Sequence, residues 1–278
     1  MNTADHNRQK KIAAINDFSG FGRCSLAVEL PVISHLRVQC CPVPTAVFSN
    51  HTGFQSYYFD DYTDRMRSYI AQWKQLNLRF EGITSGFLGS AEQIDIVTEF
   101  IEEFRDSGTT VIIDPVMGDN GKLYGTYTQE MREKMKRLVT LADILCPNVT
   151  EACFLTDTPY QAAGWKRSQL LEMARQLAGL GAQRVVITGI EMKQSIGNAI
   201  YQKGGEAKII SRRRVGATRS GTGDIFAAII AADAVNGVDF EASVRKASGF
   251  ISKCIAATER RGIPATDGVC FEDVLHQL

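Results

Sequence analysis

The run Thr110-Val111-Ile112-Ile113-Asp114-Pro115-Val116-Met117-Gly118-Asp119-Asn120-Gly121 decides the architecture. Four β-favouring residues lead straight into a proline and a turn rich in Asp, Asn and Gly. An apolar strand with no polar interruption is covered on both faces, as in parallel sheets flanked by helices. In such sheets ligands gather beyond the carboxyl ends of the strands. Here that end carries two carboxylates.

The same alternation extends in both directions. Lys11–Ile15, Gly82–Phe87, Ile144–Cys146 and Arg184–Thr188 read as strands. Ser25–Leu36, Tyr62–Asn77, Ala91–Ser107, Thr128–Ala142, Ser168–Leu180, Asp224–Asn236 and Glu241–Thr258 read as helices. Val38–Val47 reads as extended despite Pro42 and Pro44, and Ala199–Tyr201 with Lys208–Ser211 as a hairpin. The predicted fold is α/β, a mostly parallel central sheet with helices on both faces. Polar and glycine-rich residues fall at strand ends: Asp17–Ser19, Asp114–Asn120, Asn148–Glu151 and Thr188–Gly189.

The 278 residues suffice for one large α/β domain, and no linker or repeat divides them. The expectation is one domain over 1–278, with residues 1–10 as a flexible tail. Lysine plus arginine (31) equals aspartate plus glutamate (31), so nothing supports a nucleic-acid partner. Seven cysteines without a CxxC pair, beside four histidines, show no zinc spacing. Reduced thiols in a cytoplasmic protein are the expectation. Met1–Lys11 is polar, unlike a signal peptide, and no apolar run is long enough to span a membrane.

Four segments carry candidate chemistry. Gly221-Thr222-Gly223-Asp224 enters an alanine-rich helix, whose unpaired N–H groups and partial positive charge make an anion hole. Asp224 would repel an anion there. It is either a helix cap or a base that takes a proton from a hydroxyl attacking a phosphate. Asp114 and Asp119 suit Mg²⁺, directly or through water, or serve a tight turn. Asn148 and Glu151 form a capping pair or reach a metal and phosphates. Phe48-Ser49-Asn50-His51-Thr52-Gly53-Phe54 is a surface loop or a pocket with rings for a flat ligand. Asn16 to Gly22 does not fit Gly-x-Gly-x-x-Gly, which disfavours a dehydrogenase.

Four segments together resemble the pyridoxal kinase branch of the ribokinase-like superfamily. They are Phe48-Ser-Asn-His-Thr-Gly53, Asp114-Pro-Val-Met-Gly-Asp119, Ala142-Asp-Ile-Leu-Cys-Pro-Asn-Val-Thr-Glu151 and Gly221-Thr-Gly-Asp-Ile-Phe-Ala-Ala228. The resemblance covers nearly the whole chain and implies a three-layer ribokinase-like sandwich. It implies ATP- and Mg²⁺-dependent phosphorylation of the 5′-hydroxymethyl group of a vitamin B6 vitamer, with Asp224 as base. Gly221, Thr222 and Gly223 would form the anion hole. Asp114, Asn148, Glu151, Thr188 and Tyr124 would meet the nucleotide, and Asp114, Asp119 and Glu151 the metal. Asp17, Ser19, Phe48, His51, Thr52 and Phe87 would hold the vitamer. A homodimer and a monovalent-cation requirement also belong to the resemblance.

Some positions depart from the pattern. Asp17 stands where some relatives carry serine, Cys146 where some carry threonine, and Arg219-Ser220 where some carry apolar residues. Arg219 either assists the phosphates or points to solvent. Asp17-Phe18-Ser19-Gly20 resembles the first loop of hydroxymethylpyrimidine kinases, the nearest alternative. A sugar or nucleoside kinase of the superfamily and a non-catalytic vitamer sensor are more distant ones. Phe48–Tyr62 and Gly118–Thr126 are the segments expected to close over the site.

Overall fold

The computed structural model describes residues 5–278. In chain order the elements are β1 (Lys11–Ser19), α1 (Leu26–His35), β2 (Gln39–Phe48), β3 (Phe59–Asp61), α2 (Thr63–Gln75), β4 (Gly82–Ser85), α3 (Ala91–Phe104) and β5 (Thr110–Ile113). Then come β6 (Gly118–Asp119), β7 (Lys122–Leu123), α4 (Gln129–Leu138), β8 (Ile144–Leu145), α5 (Val149–Leu155), α6 (Arg167–Gly179) and β9 (Arg184–Met192). The chain closes with β10 (Ser195–Gln202), β11 (Lys208–Arg213), α7 (Thr222–Asn236) and α8 (Phe240–Arg261).

Nine strands form one sheet in the order β11-β10-β9-β8-β5-β4-β1-β2-β3. Its centre, from β2 to β9, is parallel. Both edges are antiparallel: β3 on β2, and the β10–β11 hairpin on β9. Pro42 and Pro44 lie in β2 before Ala46, where pairing with β3 begins. There β2 is an edge, where a missing N–H costs no ladder bond.

Alternate residues of each strand feed opposite layers. Val111 and Ile113 join the core beneath α2–α6, with Phe80, Phe100 and Leu177. Ile112 joins the core beneath α1, α7 and α8, with Val28, Ile229 and Phe250. This is the three-layer sandwich expected. α7 is buried from Ile225 to Asp233 without a break, because its small alanines let neighbours close in on every side.

Some boundaries differ from the predicted ones. β1 runs on to Ser19 and β9 to Met192. α7 begins at Thr222, so Asp224 is its third residue and not its cap. Of the predicted tail, residues 1–4 lie outside the described residues. Residues 7–10 are tethered: Asn7 bonds the Asn77 carbonyl (3.0 Å) and the Arg79 N–H (2.8 Å), and Lys10 the Val235 carbonyl (2.9 Å).

Candidate active site

The helix start read as an anion hole is shaped by backbone. Gly221 caps α7 with φ 80°, a left-handed angle that favours glycine. A Cβ there would also collide with the Arg23 carbonyl oxygen. A Cβ on Gly223 would lie 4.0 Å from Asp114 Oδ2, so the start of α7 faces the carboxylate at the end of β5. Thr222 Oγ1 donates to the Arg219 carbonyl at 3.2 Å, closing the turn.

Asp224 follows, half-buried in the first turn of α7. Burial raises its pKa above the ordinary aspartate value, opposed by hydrogen bonds from the Ser25 backbone and the Asn16 amide. Asn16, near the end of β1, reaches Asp224 Oδ1 with Nδ2 at 3.5 Å. Beside it Asp17 accepts from Ser25 Oγ (2.6 Å) and Ser19 Oγ (2.9 Å). Burial, with the charge of Asp224, pushes Asp17 up to about 6.

On the other side of Asp224, burial and then the charges of Glu151 and Asp224 push Asp114 up. Glu151 is buried, and its Oε1 accepts from Met117 N (3.1 Å). Its Oε2 accepts from Asn148 N (2.8 Å), while Asn148 Oδ1 accepts from Glu151 N (2.9 Å), a reciprocal cap. Asn148 Nδ2 donates to the Gly118 carbonyl at 2.9 Å. Thr188 bridges to Asn148 at the adjoining strand end. Tyr124 is partly exposed above this region, its backbone N–H on the Met117 carbonyl (2.9 Å).

The expected three-carboxylate metal set is not drawn together. Asp119 is exposed and accepts from Asn120, and Glu151 is engaged by backbone N–H groups. Among the described residues no three His, Cys, Asp or Glu converge on one point. Asp114 makes no salt bridge among those residues, and its oxygen faces the start of α7 at Gly223. That suits Mg²⁺, which takes one or two carboxylates, keeps waters and shares phosphates. Cys146 is buried near Asp114, and burial holds its thiol protonated, so it offers no thiolate ligand.

The aromatic side of the site is formed by Phe48, Tyr57, Phe59 and Phe87. Phe48 lies 4.8 Å from Phe59 and meets Phe87 edge-on at 5.9 Å, centroid to centroid. The Phe87 N–H donates to Asn16 Oδ1 at 2.8 Å, so this aromatic and Asp224 are referenced to one side chain. Thr52 is exposed. His51 is committed elsewhere: Nδ1 accepts from Gly53 N (3.0 Å), which leaves Nε2–H to donate to the Thr266 carbonyl (2.7 Å). It joins the 49–58 segment to the C-terminal loop and offers a ligand its ring only.

Arg219 corrects both readings of it. It is buried and donates to the Ile263 (2.8 Å) and Pro264 (3.0 Å) carbonyls and to Glu259 (3.1 Å). It ties the loop before α7 to the end of α8 and the segment after it. Asn16 and Glu29 were missed by sequence reasoning. Their signals are weak: one amide at the end of the apolar run Ile12–Ile15, and one acid on the buried face of α1.

A glycine-capped helix start, a half-buried aspartate in its first turn and a cluster of aromatic rings thus gather on a ribokinase-like fold. The chain belongs to the phosphomethylpyrimidine kinase family, whose pattern matches residues 27–267. It is 30% identical to the pyridoxine/pyridoxal/pyridoxamine kinase of Bordetella avium over 183 residues, 63% of this chain and 60% of that protein. A phosphomethylpyrimidine-kinase-like protein of Bacteroides thetaiotaomicron, crystallised with pyridoxal, is 38% identical. It superposes with a TM-score of 0.93 over 97% of this chain and 96% of its own. Pyridoxal kinase from Lactobacillus plantarum is 27% identical, with a TM-score of 0.88 over 97% and 96%.

Proposed function

We propose that this chain, a single kinase domain over 1–278, transfers the γ-phosphoryl group of ATP to the 5′-hydroxymethyl group of a vitamin B6 vitamer. One observation carries the reading. Asp224 lies between the anion hole of Gly221–Gly223 and the first-loop cluster of Asn16 and Asp17, and Asn16 also anchors Phe87.

The vitamer ring lies against Phe48 and Phe87, with Asp17, Ser19 and Thr52 fixing its polar edge. Asp224 accepts the hydroxyl proton as the oxygen–phosphorus bond forms and the bond to the β-phosphate oxygen breaks, releasing ADP. A raised pKa suits a base that works near neutrality. The N–H groups of Gly221–Gly223 hold the transferring phosphoryl oxygens. Asn148, Thr188 and Tyr124 border the nucleotide. Asp114 would hold Mg²⁺ directly or through water, with Asp119 and Glu151 adding negative field nearby, and the ion would supply neutralisation of phosphate charge. Water must be excluded at turnover; 48–62 and 118–126 are the segments that would close. A homodimer and a monovalent cation as an added cofactor rest on the resemblance, and a cytoplasmic location on the cysteine usage. Among the described residues no helix is long and apolar enough to cross a membrane.

The family match and the Asp17-Phe18-Ser19-Gly20 loop favour hydroxymethylpyrimidine as a second acceptor class. The test measures ADP release from Mg·ATP with pyridoxal, pyridoxine, pyridoxamine, hydroxymethylpyrimidine and ribose, offered separately. Turnover of a B6 vitamer, lost in Asp224→Asn, supports the reading. Turnover confined to hydroxymethylpyrimidine or ribose overturns the vitamer and keeps the phosphotransfer.

A further inference from the structure

Glu29 is an acid where an apolar residue is expected. It lies on the buried face of α1 and is 2% exposed. Its Oε1 accepts from Asn16 Nδ2 at 3.1 Å, and its Oε2 is buried with no partner. The same Asn16 nitrogen stands 3.5 Å from Asp224 Oδ1. Asn16 cannot turn over freely, because its Oδ1 already accepts from Asp17 N (2.9 Å) and Phe87 N (2.8 Å). A Cβ on Gly86 would strike the Asn16 amide, so the neighbouring strand end is left bare to seat it. The two amide hydrogens are thereby divided between two carboxyl groups.

We propose that Glu29 is a positioning residue: through Asn16 it holds one amide N–H on Asp224 and leaves the negative charge of the pair on Asp224. This rests on the reading of Asp224 as the base. The groups facing Glu29 are Asp17 from β1, Cys40 from β2, Asp224 from α7 and Asp114 beyond β5. None is a cation. An unpaired oxygen of a neutral acid costs far less to bury than one of a carboxylate. Burial first, and the charge of Asp224 next, push Glu29 up to about 8. The neutral acid accepts one amide hydrogen without competing for the other. Ionised, it would draw Asn16 away and repel the charge on Asp224.

The test is steady-state kinetics of the intact chain with Mg·ATP and whichever acceptor the panel identifies. Glu29→Leu lowers kcat by about ten- to a hundred-fold, the scale of a lost hydrogen bond to a charged group, while KM for ATP stays within about two-fold. Glu29→Gln, neutral and of the same shape, keeps kcat near wild type at neutral pH. In wild type kcat bends downward as pH passes about 8, and Glu29→Gln removes that bend. Glu29→Leu adds nothing to Asn16→Ala, since both act on one contact. Wild-type kcat in Glu29→Leu, additive losses, or a Glu29→Gln profile bent like wild type would each overturn the proposal. The glutamine profile decides alone if the leucine variant does not fold. Asp224→Asn, run alongside, separates the failures: activity retained there removes the base itself, whereas activity lost there with Glu29→Leu unaffected removes only the positioning role.

Discussion

Two buried glutamates flank the candidate site, and their surroundings differ. Glu151, in the first turn of α5, has both oxygens on backbone N–H groups. Glu29, in the first turn of α1, has one oxygen on a side-chain amide and the other on nothing. Glu151 thus belongs to the scaffold that shapes the Asp114–Met117 turn. Glu29 belongs to the adjustable hydrogen bonding around Asp224. The same residue type, equally buried, is a fastener on one side of the site and a tuning group on the other. The distinction lies in the donors: burial raises the pKa of both acids, but fixed backbone N–H groups oppose that rise at Glu151, while at Glu29 a single amide must be divided.

The largest test concerns the centre both flanks serve. Asp224→Asn lowers kcat by about 10²- to 10⁴-fold, the usual worth of a general base, with little change in KM for ATP; initial rates of ADP release check this. Next is the fastener. Glu151→Ala strands the N–H groups of Asn148 and Met117 and costs about 2–4 kcal/mol, a fall in Tm of roughly 5–12 °C, read by calorimetry. A variant as stable as wild type would erase the distinction.

The tuning side predicts a pH effect of definite sign. A carboxyl whose folded pKa is raised contributes stability below its unfolded pKa and loses that contribution as pH climbs through the folded value. For Glu29 the window runs from 4.5 to about 8. Glu29→Gln therefore gains on wild type across that window by up to about 5 kcal/mol, measured by urea unfolding at several pH values. Asp17, which holds two hydroxyl donors, shifts less, and its window runs from 3.8 to about 6. Asp17→Asn gains up to about 3 kcal/mol across that window. A larger gain for Asp17→Asn than for Glu29→Gln would reverse the ranking of the two environments.

Much of this was legible in the chain. The unbroken Val111–Ile113 run announced a strand covered on both faces, and the two cores divide its residues in alternation. Gly-Thr-Gly-Asp before an alanine-rich stretch announced a helix start able to hold an anion, with Gly221 left-handed as such a turn requires. Boundaries were less legible. Nothing local distinguished an Asp224 that caps from one a turn inside, and only the φ of Gly221 moved the start of α7 to Thr222.

Periodicity and residue type are local properties, and they sufficed for element order, layers and the polar strand ends. Which polar groups meet is a property of distance across the fold. Arg219 reaches carbonyls more than forty residues away. His51 spends both ring nitrogens on backbone, one of them in the C-terminal loop. Asn16 joins β1, α1, α7 and Phe87 at one amide. The sequence by itself determined the architecture and the candidate base. Only the tertiary structure decided which buried acids are fastened and which are free to tune, because hydrogen-bond partners are assigned by packing.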